Sequence, residues 1–143
     1  MSGTQKGLQF IKQVVEASVT TRCFESVLNK VKVITGGNGQ CLCEMIVTED
    51  DQNRGGTLHG GMTATLVDAV STWALLTSEK QVAGVSVDMG ISYMKAAKVG
   101  EEILIDAKTL RVGNRLAFLT VDITRKSDGT LLAQGKHTKF IGS

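Results

Sequence analysis

Between Gly55 and Ser78 the chain carries one charged side chain, Asp68, in a run of apolar and small residues without proline. An unbroken segment of this kind reads as one long helix over residues 58–78. Leu58, Met62, Leu66, Ala69, Trp73 and Leu76 form a bulky stripe along it. Gly61, Thr65, Asp68, Thr72 and Leu75 form a second stripe of mostly small residues. Two adjacent packing faces imply a helix surrounded on most sides. Asp68 has no Lys or Arg at helical spacing, and an unpaired carboxylate is costly to bury. Such a group is either solvated or retained for chemistry.

The rest of the chain supplies what surrounds that helix. Leu8, Ile11, Val15 and Val19 recur at helical spacing, so the N-terminus reads as an amphipathic helix, with a short helical turn over residues 24–28. Residues 31–34 and 41–47 read as paired strands joined by the turn Gly36-Gly37-Asn38-Gly39, and residues 48–56 as a loop. After the helix, Val85, Val87, Met89, Ile91 and Tyr93 alternate with Ser86, Asp88, Gly90 and Ser92, which is strand periodicity with Ser86 on the polar side. Residues 103–110, 116–124 and 131–140 are three further strands, joined by hairpin turns at Val112-Gly113-Asn114 and Ser127-Asp128-Gly129. The expected order is helix, two strands, long helix and a four-stranded meander. The expected class is α+β, an antiparallel sheet of about six strands wrapped round one helix, as a single domain over 1–143. The small-residue stripe beside Asp68 would let a second backbone approach, which favours a dimer with Asp68 near the interface.

Bulk properties narrow the function. A length of 143 residues allows one sizeable core. A net charge of +2 is too small for general nucleic-acid binding. The basic residues from Lys95 onward suit a small anionic ligand better than a long polyanion. There is no apolar run of about eighteen residues, so no transmembrane helix is expected. Residues 1–10 lack an apolar core behind basic residues, so no secretory signal is expected. Cys23, Cys41 and Cys43, an odd count without CxxC spacing, read as buried free thiols in a reducing compartment. His59 and His137 have no ligand-like spacing to them, so no metal site is expected.

Several motifs together carry a resemblance. They are Asn53; Gly56-Thr57-Leu58-His59-Gly60-Gly61; Ala64-Thr65-Leu66-Val67-Asp68; Val85-Ser86-Val87-Asp88-Met89; Ile91-Ser92-Tyr93-Met94; and Ala133-Gln134-Gly135-Lys136-His137. From about Phe24 to its end the chain resembles the hotdog-fold acyl-CoA thioesterases of the 4-hydroxybenzoyl-CoA thioesterase superfamily. It departs where those proteins usually carry Pro after Tyr-Met-x, having Lys95-Ala96-Ala97-Lys98 in a substrate-side loop.

The resemblance implies a hotdog fold and hydrolysis of medium- or long-chain fatty acyl-CoA. Thioester hydrolysis needs an activated water and stabilisation of the developing oxyanion. Gly60, at a helix start where backbone N–H groups are unpaired, is the expected oxyanion donor, with Asn53 positioning the carbonyl or the water. Asp68 is the expected general base or nucleophile, and Ser86 the residue that holds the water. The family pattern implies that Asp68 and Ser86 of one subunit face Asn53 and Gly60 of the other. That makes a homodimer with shared sites, and two such dimers pair into a homotetramer. His59 is expected to cap the helix start or order the loop on the substrate side, and His137 reads as structural or rim. Asp88, Tyr93 and Met94 are placed on the substrate side. Coenzyme A carries phosphates that need cations and backbone donors. Lys95 and Lys98 flank one candidate turn, and Arg111, Gly113, Asn114 and Arg115 crowd another. Trp73, Leu75 and Leu76 are candidates for an acyl slot. Coenzyme A is part of the substrate, and no cofactor is implied. The free thiols suit the cytosol, and the family allows association with mitochondria. A hotdog hydratase or dehydratase, and a non-catalytic acyl-CoA-binding module, are the competing readings.

Overall fold

A computed structural model of the chain describes residues 3–142, with the side chains of residues 5–142. Met1, Ser2 and Ser143, part of the 1–143 domain expected from the sequence, lie outside the described residues. The elements run α1 (Gly3–Thr20), a 3-10 turn (Phe24–Leu28), β1 (Lys32–Gly37), β2 (Gln40–Ile46), a second 3-10 turn (Glu49–Asp51), α2 (Gly60–Leu76), β3 (Val85–Tyr93), β4 (Glu102–Val112), β5 (Leu116–Arg125) and β6 (Leu131–Phe140). The six strands form one antiparallel sheet in the order β1-β2-β4-β5-β6-β3. The expected meander is therefore wrong at one place. β3 does not lie beside β4 but crosses to the far edge and pairs with β6.

The sheet curls round α2, which is the hotdog arrangement. Bulges in β1, β3, β4 and β6 interrupt the pairing registers and help to bend the sheet. The inward phase of β2, β4 and β5, including Cys43, Met45, Ile103, Ile105, Val121 and Ile123, meets Leu66, Val67, Val70 and Ala74 of α2 in one core. Burial on α2 falls on Thr63, Leu66, Val67, Ala69, Val70, Ser71, Trp73, Ala74 and Leu75. The bulky stripe read from the sequence catches Leu66, Ala69 and Trp73 but misses Val67, Val70 and Ala74. The stripe of Gly61, Thr65, Asp68 and Thr72 faces outward along the open side of the helix, where Gly61 and Asp68 are exposed. α1 lies across β1, where Gly36 leaves room for Ile11 and Gly7 approaches the backbone of Gly37.

Two local features position everything that follows. The first is Gly135 on β6: a Cβ built there would lie 2.6 Å from Cγ1 of Val67 and 3.0 Å from its Cγ2. The Val67 side chain of α2 thus packs directly on the β6 backbone. The second is the bulge at Val87. Ser86 pairs with Lys139 and Met89 with His137, whereas Asp88 pairs with Thr138. One extra residue flips the phase of a strand. Ser86 therefore faces α2 together with Met89, Ile91 and Tyr93, and Asp88 faces away from it. The simple alternation read from the sequence, with Ser86 on the polar side, fails at this bulge.

The Gly135 contact makes a stability prediction. Gly135→Ala should lower stability by about 1–3 kcal/mol, the usual cost of overpacking a filled core. Adding Val67→Ala should give back part of the loss in a thermal melt, because the clash is with that side chain. An unchanged Tm in Gly135→Ala would show that α2 can move off the sheet.

Candidate active site

The α2 N-terminus is built by a loop that bonds to itself. Asn53 Oδ1 accepts from the N–H groups of Gly55 (2.9 Å) and Thr57 (3.2 Å), and its Nδ2 donates to Thr57 Oγ1 (2.9 Å). Upstream, Lys30 Nζ binds both carboxylate oxygens of the buried Asp51 at 2.8 Å, and the Asp51 carbonyl accepts from His59 N–H at 2.8 Å. His59 is the helix cap, its Nδ1 accepting from Gly61 N–H at 2.8 Å. That leaves Gly60 N–H without a hydrogen-bond partner among the described residues. It lies at the end of a helix where unpaired N–H groups and the macrodipole favour negative charge. The Gly60 carbonyl in turn accepts from Tyr93 Oη at 2.9 Å. Asn53, Gly60, Tyr93, Met94 and Lys95 border one cavity of about 340 Å³. Asn53 keeps one amide N–H beyond those its own loop uses.

Asp68 lies on the open side of the same helix, in a second cavity of about 430 Å³ bordered by Thr65, Thr72, Trp73, Leu76 and Lys139. Trp73 and Leu76, two of the candidate acyl-slot residues, are thus beside Asp68. Leu75 is not; it is buried against Ala117 and Leu119. Asp68 has the cationic neighbour that the local sequence lacks. Lys139 of β6 is buried, donates from Nζ to Thr72 Oγ1 at 2.6 Å and feels the Asp68 carboxylate. Burial pushes the Lys139 amine below its ordinary pKa, and Asp68 opposes that shift. His137, two residues earlier on the same face of β6, is 1% exposed. Its Nε2 is 2.7 Å from Ser86 Oγ and its Nδ1 is 2.8 Å from Ser71 Oγ of α2. Burial lowers the His137 pKa, the Lys139 charge lowers it further, and Asp68 works the other way.

Sequence reasoning missed Lys139 and Ser71 as neighbours of the candidate site, and read His137 only as structural or rim. A signal was present. His137 and Lys139 share the alternation phase of Ala133 and Gly135, and a polar side chain on an inward phase needs a partner.

One chain does not bring the predicted residues to a single point. Asp68 lies eight residues beyond Gly60, about 12 Å along the helix axis. Asn53 and Gly60 border one cavity, and Asp68 and Lys139 another. Asp88 is on the outer face of β3 beside Thr138, away from Asp68 and Ser86, because of the Val87 bulge. The two basic turns are also apart. Lys95 N–H bonds to Leu132 O at one end of β6, and Arg115 O accepts from Ile141 N–H at the other. Nine residue steps along β6 separate them, about 30 Å. Lys95, Lys98, Arg111 and Arg115 are all exposed. Lys80 Nζ binds the carbonyls of Gly113 (2.7 Å) and Asn114 (3.3 Å), which fixes the second turn. Of the cysteines, Cys41 and Cys43 are buried as expected, but Cys23 is exposed.

The His137 environment predicts a pH effect. A histidine whose folded pKa lies below its unfolded value contributes stability that is full above about pH 6.5 and is lost as pH falls toward the folded pKa. Tm should therefore drop between about pH 7 and pH 5, and the drop should be smaller in His137→Gln. Equal pH slopes for the two proteins would count against a buried neutral imidazole.

Comparison with known proteins agrees with this architecture. The thioesterase superfamily model matches residues 55–132, a span from the Asn53 loop to the start of β6. Human acyl-coenzyme A thioesterase 13 is 50% identical over 135 residues, covering 94% of this chain and 96% of that one. The crystal structure of zebra fish thioesterase superfamily member 2 superposes with a TM-score of 0.93 at 55% identity, covering 94% of this chain and 98% of that chain. Thioesterase superfamily member2 from Mus musculus gives a TM-score of 0.85 at 47% identity, covering 99% of each chain. With its hotdog sheet, capped central helix and matched core segment, the chain belongs to the thioesterase superfamily.

Proposed function

We propose that this protein hydrolyses medium- and long-chain fatty acyl-CoA to free fatty acid and coenzyme A. The observation that carries the reading is the unpartnered Gly60 N–H at the start of the helix that also holds Asp68. The 50% identity to an acyl-coenzyme A thioesterase over nearly all of both chains supports the choice of thioester. In this mechanism the thioester oxygen points at Gly60 N–H, and the second Asn53 amide hydrogen helps to orient it. Asp68 takes a proton from a water held beside Ser86 as that water attacks the carbonyl carbon. The tetrahedral oxyanion is stabilised at the helix N-terminus, and its collapse expels the coenzyme A thiolate. Lys139 stands beside Asp68 in the same cavity, its Nζ tied to Thr72 Oγ1.

The working unit in this reading is a homodimer. β3 is an edge strand whose outer hydrogen-bonding row is unpaired among the described residues, and Val85 and Val87 on it are 63% and 59% exposed. An apolar open edge invites another strand. Antiparallel pairing of two β3 strands would bring the two α2 helices together along Gly61, Thr65, Asp68 and Thr72. A two-fold axis passing near Ala64, midway between residues 60 and 68, sets Gly60 of one subunit against the partner's Asp68. The same pairing carries one subunit's Lys95–Lys98 turn toward the end of the sheet that holds the partner's Arg111–Arg115 turn. That meeting supplies cations for the coenzyme A phosphates. Two dimers pairing into a tetramer extend the reading, and the three free thiols suit a cytosolic setting, with association with mitochondria open to it.

Two measurements test this. Release of free coenzyme A from a panel of medium- to long-chain acyl-CoAs should be seen with wild type. It should fall about a hundredfold or more in Asp68→Asn, the usual contribution of a general base. Coenzyme A binding with no turnover on any chain length would instead indicate an acyl-CoA-binding module. The shared site has its own test. Gly60→Val and Asp68→Asn should each be inactive alone. Mixed and re-equilibrated in equal amounts they should regain about a quarter of wild-type activity, because half the dimers then hold one intact site of two. No recovery with verified subunit exchange would put the whole site in one chain.

A further inference from the structure

We propose that Ser71 is a positioning residue that sets the tautomer of His137 and thereby makes the Ser86 hydroxyl a hydrogen-bond acceptor toward the attacking water. The proposal rests on the thioesterase reading for its catalytic half, while the hydrogen-bond direction can be measured without it. Three contacts form a chain. Ser86 Oγ is 2.7 Å from His137 Nε2, His137 Nδ1 is 2.8 Å from Ser71 Oγ, and Ser71 Oγ is 3.1 Å from the Asp68 carbonyl oxygen. Ser71 is fully buried and His137 nearly so, and no other acceptor contacts Ser71 among the described residues. A hydroxyl has one hydrogen and an imidazole in its neutral form has one, so the chain must run in a single direction.

The carbonyl of Asp68 can only accept. With Ser71 donating to it, Ser71 Oγ accepts from His137 Nδ1–H, His137 Nε2 is left as a lone pair, and Ser86 donates its hydrogen to that nitrogen. The Ser86 oxygen then faces the site with lone pairs only. A water attacking a thioester uses one lone pair on the carbon and gives one hydrogen to Asp68, so its second hydrogen needs an acceptor, which Ser86 supplies. The opposite direction would have Ser71 donate to Nδ1 and His137 Nε2–H donate to Ser86. The Ser86 hydrogen would then be turned into the site, and the water's second hydrogen would lose its acceptor. The chain begins on the backbone of Asp68, so one turn of α2 carries the proposed base and anchors the contacts that orient Ser86.

The groups facing His137 are Asp68 and Ser71 from α2, Ser86 and Met89 from β3, Leu119 from β5, and Lys139 from β6 itself. The second histidine provides an internal reference. His59 Nδ1 accepts from Gly61 N–H, so neutral His59 carries its hydrogen on Nε2, the reverse of the form proposed for His137.

The test is nitrogen NMR of the two imidazoles in isotope-labelled full-length protein, above their titration range, alongside steady-state kinetics on an acyl-CoA. Wild type should show one Nε2–H imidazole and one Nδ1–H imidazole, the second vanishing in His137→Gln. Ser71→Ala, which removes a single oxygen, should keep a native melt and move His137 toward Nε2–H. It should lower kcat about three- to tenfold with KM within about twofold, the scale of one lost neutral hydrogen bond. Wild-type His137 in the Nε2–H form, or Ser71→Ala with unchanged kcat, overturns the proposal. A wild type that turns over no acyl-CoA overturns the thioesterase reading and the catalytic half with it, and that result is distinct because the tautomer is read without substrate.

Discussion

The close approach of α2 to β6 at Gly135 is the contact on which the site depends. With no Cβ on the strand, Val67 sits directly on the sheet. The residues four and five positions along the helix then come within hydrogen-bonding range of the next inward residues of β6. That is how Ser71 meets His137 and Thr72 meets Lys139. A larger residue at position 135 would hold helix and strand apart, and those short polar contacts would be the first lost. Packing and chemistry are therefore one constraint here: the missing side chain makes room for the hydrogen bonds.

The same geometry answers how an isolated acid is kept on a nearly uncharged helix. Asp68 is given no cation by its own helix, and Lys139 arrives from a strand more than seventy residues later in the sequence. Burying an ammonium is costly unless it is hydrogen-bonded and near an opposite charge. Thr72 and Asp68 supply those two conditions. His137, between Lys139 and the sheet interior, is held neutral by burial and by that same positive charge. The cluster is thus an arrangement of one carboxylate, one buried cation and one neutral imidazole, each constraining the others.

At the other end of the helix the logic is structural. The Lys30 bond to the buried Asp51 and the Asn53 turn fix the loop, and His59 takes up the Gly61 N–H. What remains unpaired is the Gly60 N–H, left at the positive end of a dipole. The 12 Å rise that separates it from Asp68 follows from helix geometry alone. No rearrangement of a rigid α2 can close that gap within one chain. In the proposed dimer a second subunit closes it, along the stripe of Gly61 and Thr65.

Much of this was legible in the chain. Local periodicity and turn residues located both helices and all six strands to within a few residues, because the pattern of apolar side chains is a property of each segment. The placement of Gly60 and Asp68 on one helix was also a sequence result, since both lie in the same unbroken run. The strand order was not legible, because nothing within β3 distinguishes pairing with β4 from pairing with β6. The Val87 bulge was not legible either; a register shift is decided by the partner strand, and it reversed the reading of Ser86 and Asp88. His137 and Lys139 looked like ordinary strand residues until α2 was laid against them. The sequence by itself determined the elements and the residue types available for chemistry. Only the tertiary structure decided which of them meet, because those contacts join residues about fifty to seventy positions apart, through a helix-to-strand distance set by one glycine.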